Sequence, residues 1–176
     1  MPHLGAVAAN FRSIYKLDTG LEFSGTIHPA EEGSVPSYEF TSPRLLLRLP
    51  LDSSVPIGAI MLDGNGRRFL IADHGFGDVY RVHRLFQLTH QVPWARAASV
   101  VDLLTGLNRS NTFTSLGTVW CLMEPTGREF PDRQTNAREE TRRVITSAAL
   151  QLGDKFNNMI VKRIDELLGV KLVEIQ

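Results

Sequence analysis

Two β-rich runs, Ala59–Leu62 and Arg68–Ala72, flank the segment Asp63-Gly64-Asn65-Gly66-Arg67, and this arrangement constrains the chain more than any other stretch. Asp-Gly and Asn-Gly steps accept the positive φ that a tight reversal needs, so the segment specifies an antiparallel hairpin. The same texture continues on both sides. Arg44–Leu51, RLLLRLPL, is a strand-length apolar run stopped by Pro50 and an Asp-Ser-Ser turn signal. Asp78–Leu88 alternates Val79, Arg81 and His83 against Tyr80, Val82 and Arg84, as a strand with one wet face would. A shorter strand is expected at Leu21–Ile27, before a polar loop containing Pro29, Gly33 and Pro36. Fourteen Gly and nine Pro among short apolar runs favour many turns over a helical bundle. The expected class is therefore mainly β: a small β-barrel or sandwich with one short helix, an extended N-terminal arm and loops.

At 176 residues the chain can bury a substantial core as one domain. Residues 1–20 read as an arm or short helix carrying Phe11, Ile14, Tyr15 and Leu17, and residues 21–176 as a single β-rich domain. Trp94, Ala97, Val101 and Leu104 fall at helical spacing, with Gly106 and Asn108 suited to a stop, which predicts a helix near Trp94–Gly106. Asn108–Ser115 reads as a polar loop that crosses between halves of the fold. Further strands are expected at Thr118–Met123, Thr141–Ser147, Asn158–Ile164 and Val170–Ile175. The third of these is ambiguous, because Phe156, Ile160, Ile164 and Leu168 also share a helical spacing, with Asp154 as a cap. Arg44–Ala72 and Arg143–Ile175 also echo one another: Gly58 and Gly66 in the first match Gly153 and Gly169 in the second. Such units could form the two walls of one barrel or sandwich.

Nineteen basic residues balance nineteen acidic ones, so the whole chain exerts no strong pull on a polyanion. A single cysteine, Cys121, excludes an intramolecular disulfide and a thiolate-rich zinc site. The opening MPHLGAVAANFRS does not read as a secretory signal, and no apolar run reaches the ~18 residues of a membrane helix, so a soluble chain is expected. His74, His83 and His90 cluster in sequence beside Asp73 and Asp78, but no two share a spacing that preorganises a metal site. Cys121 has apolar neighbours and no base beside it, so a buried inert thiol is expected there. No cofactor, metal or catalytic residue is expected. Trp120 is expected in the core and Trp94 is read the same way; Phe130 suits either a core or a subunit contact.

The string TVWCLMEPTGREF is followed by a polar crossing, ETRRVI, Gly153 and a final VKLVEI. Together these resemble the head–tail joining family, the head-closure or stopper proteins of tailed-phage necks. The residues that carry the resemblance are Trp120, Glu124, Pro125, Gly127, Arg128, Glu129, Phe130, Gln134, Arg143, Gly169, Glu174 and Ile175. It covers about the last third of the chain. The resemblance implies a non-enzymatic virion protein, a small β-barrel protomer assembled in the host cytoplasm as a homo-oligomeric ring, usually six-fold. Portal and adaptor proteins would lie above it and tail proteins below. DNA would pass through the channel without sequence-specific binding, and no membrane is involved. It also implies that Asn158–Ile164 is a strand.

Within that reading the mixed-charge stretch Glu129–Arg143, with the preceding Arg128, is the candidate for subunit or partner contact, through Arg128, Glu129, Phe130, Arg133, Gln134, Arg138 and Arg142. Other readings are a head–tail adaptor, a tail-terminator ring protein, a monomeric β-barrel that binds a small ligand or peptide, and a hydrolase using Cys121 with a histidine.

Overall fold

The computed structural model describes residues 13–29, 45–76, 80–98, 112–125 and 141–176. Every regular element among them is a β-strand, and the strands form two closed six-stranded barrels. The first contains β1 (Ser13–Leu17), β2 (Glu22–Pro29), β3 (Leu45–Pro50), β4 (Ile60–Leu62), β5 (Arg68–Phe76) and β6 (Tyr80–Leu88). The second contains β7 (His90–Ala98), β8 (Thr112–Pro125), β9 (Arg142–Thr146), β10 (Lys155–Phe156), β11 (Met159–Leu167) and β12 (Val170–Ile175). By contact the chain divides into two compact units along the same line, with the turn Glu166–Val170 counted in unit 1. There the Asp73 N–H donates to the Leu168 carbonyl at 2.8 Å.

Within each barrel two three-stranded meanders join edge to edge. The orders, β1-β2-β3-β6-β5-β4 and β7-β8-β9-β12-β11-β10, are the same topology used twice. The registers agree residue by residue. Leu17 faces Met61 in the first barrel and Trp94 faces Phe156 in the second. Leu47 pairs with Ile27 and His83, as Val144 pairs with Met123 and Val173. Before the fourth strand, the Gly58 N–H donates to the Ile71 carbonyl (2.7 Å) and the Gly153 N–H to the Val161 carbonyl (2.9 Å). These glycines have φ values of 83° and 84°, a region where a Cβ is strained, so the matching bend demands glycine twice.

The cores follow the same correspondence. Tyr15, Leu47, Val55, Met61, Ile71 and Leu85 fill the first barrel. Val92, Val144, Leu150, Phe156, Val161 and Ile175 hold the equivalent places in the second. Apolar character is kept while side-chain identity is not, as expected when inward positions need only suitable volume. One swap is steric. A Cβ on Gly25 would lie 3.0 Å from Leu47 Cδ1 and Leu49 Cδ2 and 3.1 Å from the Arg48 carbonyl oxygen. The equivalent place in the second barrel holds the fully buried Cys121.

The expected hairpin at Asp63–Arg67 connects β4 to β5 in register Ile60↔Leu70. One Asp63 carboxylate oxygen accepts the Asn65 and Arg67 N–H groups and the other accepts Arg67 Nε at 2.6 Å. Desolvation opposes ionisation of Asp63, but the side-chain and backbone hydrogen bonds from Arg67 outweigh it and hold the carboxyl below its usual range. The second barrel makes the equivalent reversal with Asn157 and Asn158, both at positive φ (50° and 63°). Lys155–Leu168 is therefore strand over β10 and β11, with no helix, because Phe156, Met159 and Val161 reach the core from the two paired strands and cross-strand pairing consumes the backbone groups.

Five expectations are corrected. The proposed helix from Trp94 begins instead as strand: Trp94–Ala98 belongs to β7, paired with β8, and 99–106 lies outside the described residues. Pairing with β8 overrides a periodicity that rested on four positions. Ser13–Leu17, expected within an N-terminal arm or short helix, is a barrel strand, and 1–12 lies outside the described residues. In β6, His83, Arg84, Leu85 and Phe86 are successively buried, so that strand has no wet face there. The loop expected through Ser115 gives way to strand from Thr112. Finally, the two echoing stretches do not supply the walls of one barrel, because each half closes its own. Gly58 and Gly153 are equivalent, whereas Gly66 and Gly169 occupy different turns.

Because the two glycines hold one position in duplicate, Gly58→Ala and Gly153→Ala should each destabilise the protein by about 1 kcal/mol. Urea unfolding followed by circular dichroism should give similar midpoint shifts for both.

Candidate assembly surface

Of the residues singled out for subunit contact, Arg128, Glu129, Phe130, Arg133, Gln134 and Arg138 lie outside the described residues. Arg142 is placed in the barrel wall, as the first residue of β9, facing Pro125 on β8 and Ile175 on β12. Its Nη1 approaches Met123 Sδ at 3.4 Å. The neighbouring Arg143 pairs with Glu174 at 3.8 Å across the same wall. The crossing that carries the other six thus springs from two adjacent, antiparallel strand ends.

A second surface was missed by sequence reasoning and emerges from comparing the two barrels. In the first, β1 and β2 are joined by a tight turn: Leu17 N–H donates to the Leu21 carbonyl and Gly20 N–H to the Leu17 carbonyl. In the second, β7 and β8 run on past the equivalent point, pairing Ala95–Ala98 with Ser115–Thr112. A bulge marks the departure, with Trp94 opposite Gly117 but Ala95 opposite Ser115, and with Gly117 at φ 106°. Barrel closure does not require this ribbon, since the first barrel closes without one.

All seven residues from Thr112 to Thr118 are exposed, on both faces of the strand. They include Phe113 at 38% and Leu116 at 46% exposure. Lys155 Nζ lies 5.7 Å from the Phe113 ring centroid, a cation–π contact at the ribbon's base. The sequence signal that could have revealed the strand is its composition: Thr112-Phe113-Thr114 is a β-branched, aromatic, β-branched triplet.

The ribbon is rooted by a polar cluster with no counterpart in the first barrel. Asp154 is only 2% exposed. Its carboxylate accepts Trp94 Nε1 (2.9 Å), Arg96 Nε (3.2 Å), Arg96 Nη2 (3.1 Å) and the Gln151 N–H (2.9 Å). Arg96 Nη2 also donates to the Ala149 carbonyl at 2.8 Å. Thus one carboxylate ties β7 to the segment before β10. Burial alone would raise its pKa, but the hydrogen bonds from Arg96, Trp94 and Gln151 and the Arg96 charge together lower it. In the first barrel the equivalent residues are Ala59 and Leu17, an apolar solution to the same seam. Asp154, read as a cap, is instead this hub, and Trp94 packs against the core while its ring N–H is satisfied.

Along β8, Val119, Cys121 and Met123 point into the core, so Trp120, expected there, lies on the opposite face and is half-buried. Burial pushes the Cys121 thiol up to about 12, which leaves almost no thiolate at neutral pH. His83 is buried on β6, His90 is exposed on β7, and no group of three His, Cys, Asp or Glu side chains among the described residues is placed to hold a metal ion.

Removing the Asp154 carboxylate leaves Trp94 Nε1 and the Gln151 N–H without their acceptor. Asp154→Ala should therefore cost on the order of 2 kcal/mol, read by chemical denaturation. The sign of the pH effect follows from the lowered folded pKa. The carboxylate's contribution is complete above the unfolded value near ~4 and is lost as pH falls through the folded value. Acid titration should accordingly destabilise the wild type more than Asp154→Ala below that pH. Comparison of the chain with protein-family models, with curated proteins and with solved structures returned no match.

Proposed function

We propose that the protein is a structural component of a tailed-phage neck, assembling as a homo-oligomeric ring that closes the DNA-filled head and offers a docking surface to the tail. The observation that carries this reading is the string from Trp120 through Glu124-Pro125, Gly127-Arg128-Glu129 and Arg143 to Glu174-Ile175, which resembles the head-closure proteins. Two features support it. The described residues of that string fall on adjacent strands of one small closed β-barrel, the architecture the resemblance implies. The stretch that had to be strand under the resemblance, Asn158–Ile164, is taken up by β11 apart from its first residue.

The mechanism is mechanical. Closed barrels leave no long free sheet edge within the wall and give a rigid body. Loops between the strands then make the heterologous contacts that generate a ring. The balanced charge of the chain suits a conduit, because strong phosphate contacts would retard the exit of DNA. The crossing between β8 and β9, with Arg128, Glu129, Phe130, Arg133, Gln134 and Arg138, is the segment assigned to neighbouring subunits.

Negative-stain microscopy of the chain mixed with the portal complex of its phage tests the reading. The expected result is a ring added coaxially to the portal, weakened when Arg128 and Arg133 are both replaced by Glu. A chain that leaves the portal unaltered at every mixing ratio overturns it.

A further inference from the structure

Among the described residues, no strand covers the outer edge of β8 where the ribbon leaves the barrel. β9 covers β8 only opposite Leu122–Pro125. Beyond that, Thr146 Oγ1 donates to the Trp120 carbonyl at 3.1 Å, and the chain after β9 turns away towards Leu150. Among the described residues no strand pairs with the far side of Thr112–Ser115, whose near side pairs with β7.

We propose that this edge joins two copies of the chain, β8 pairing antiparallel with β8 of the second copy across a two-fold axis. A ribbon of two strands exposed on both faces is at best marginally stable in water. Self-pairing converts two such ribbons into one continuous four-stranded sheet. The edge also lacks the charged and proline residues that keep sheet edges apart: Thr112–Met123 contains no Lys, Arg, Asp, Glu or Pro. The bulge at Leu116 limits the open edge to the four residues beyond it.

A second copy is the occupant that the chemistry favours. Thr112–Ser115 carries no charged side chain of its own for a charged partner to match, and at zero net charge two copies do not repel one another. The other edge of the ribbon differs, because Arg96 on β7 is committed to Asp154. The sequence is also self-complementary. A two-fold axis between antiparallel strands stands perpendicular to the sheet, so residues sharing a face must pair. Centring it on Phe113 sets Phe113 against the second copy's Phe113 and Thr112 against its Thr114. Aromatic–aromatic and Thr–Thr pairs are among the favourable cross-strand combinations. The contact is isologous and closes at two copies.

This contact is independent of the neck reading and rests on different residues. Sedimentation velocity over a concentration series should show the wild-type chain in reversible self-association, and Phe113→Lys or Phe113→Glu should each weaken it at least tenfold. Mixing the two variants one to one should restore the dimer, because the axis puts Lys opposite Glu. Phe113→Cys in a Cys121→Ser background should form a covalent dimer on mild oxidation, whereas Leu152→Cys in the same background, exposed elsewhere, should not. A wild-type chain that stays monomeric throughout, variants that associate like the wild type, or a mixture that stays apart would each overturn the proposal. Self-association with no effect on the portal would uphold it while rejecting the neck reading.

Discussion

Each barrel depends on a seam of very few residues, where the first strand of one meander meets the first strand of the other. In unit 1 that seam is Lys16↔Leu62 and Leu17↔Met61, extended by the Asp18 N–H to the Ile60 carbonyl. In unit 2 it is Lys155↔Ala95 and Phe156↔Trp94, extended by the Asn157 N–H to the Pro93 carbonyl. Without these pairings each sheet would be an open curl with two unsatisfied edges. The left-handed glycine before the fourth strand turns the chain into the seam, and the large side chains beneath it, Met61 and Phe156, fill the space that closure creates.

The two seams are held by different chemistry. Unit 1 relies on packing, with Leu17 and Met61 buried over Phe69 and Ile71. Unit 2 places an indole, a guanidinium and a carboxylate at the same place, so that directional bonds add to packing. A buried carboxylate is tolerable only because every bond it accepts comes from a positioned donor. This exchange coincides with the extension of β7 and β8 beyond the barrel. A strand that projects into solvent needs a firmer root than one that turns back at once, and Arg96 supplies it one turn of the pleat beyond Trp94.

Much of the strand inventory was legible because short apolar runs and turn signals fix β-structure locally. Asp63–Arg67 is the clearest case, since its turn chemistry and its register agree. The duplication was legible only as a faint echo, because barrel interiors demand volume and not identity: Tyr15 answers Val92, and Met61 answers Phe156. One glycine, Gly58 against Gly153, kept its identity because backbone conformation left no alternative. The ribbon was obscured for another reason. Trp94, Ala97, Val101 and Leu104 imitate a helical face, and the residues that decide against it lie on β8, across the hairpin. The role of Asp154 was hidden likewise, as its partners Trp94 and Arg96 are about sixty residues away in sequence.

The shared strand order has a consequence for the folding chain. Because both halves use one register, the first meander of either half presents the edges that the second meander of the other could accept. A nascent chain therefore meets two geometrically equivalent ways to close each seam, the situation in which tandem repeats misassemble or exchange elements between molecules. The divergence of side chains at equivalent wall positions works against the wrong choice. Val173 would have to enter the place of His83, and Arg48 the place of Ile145, each exchange setting a charge or a void where the other half has none. The divergence of side chains between the halves thus acts as proofreading of their own assembly.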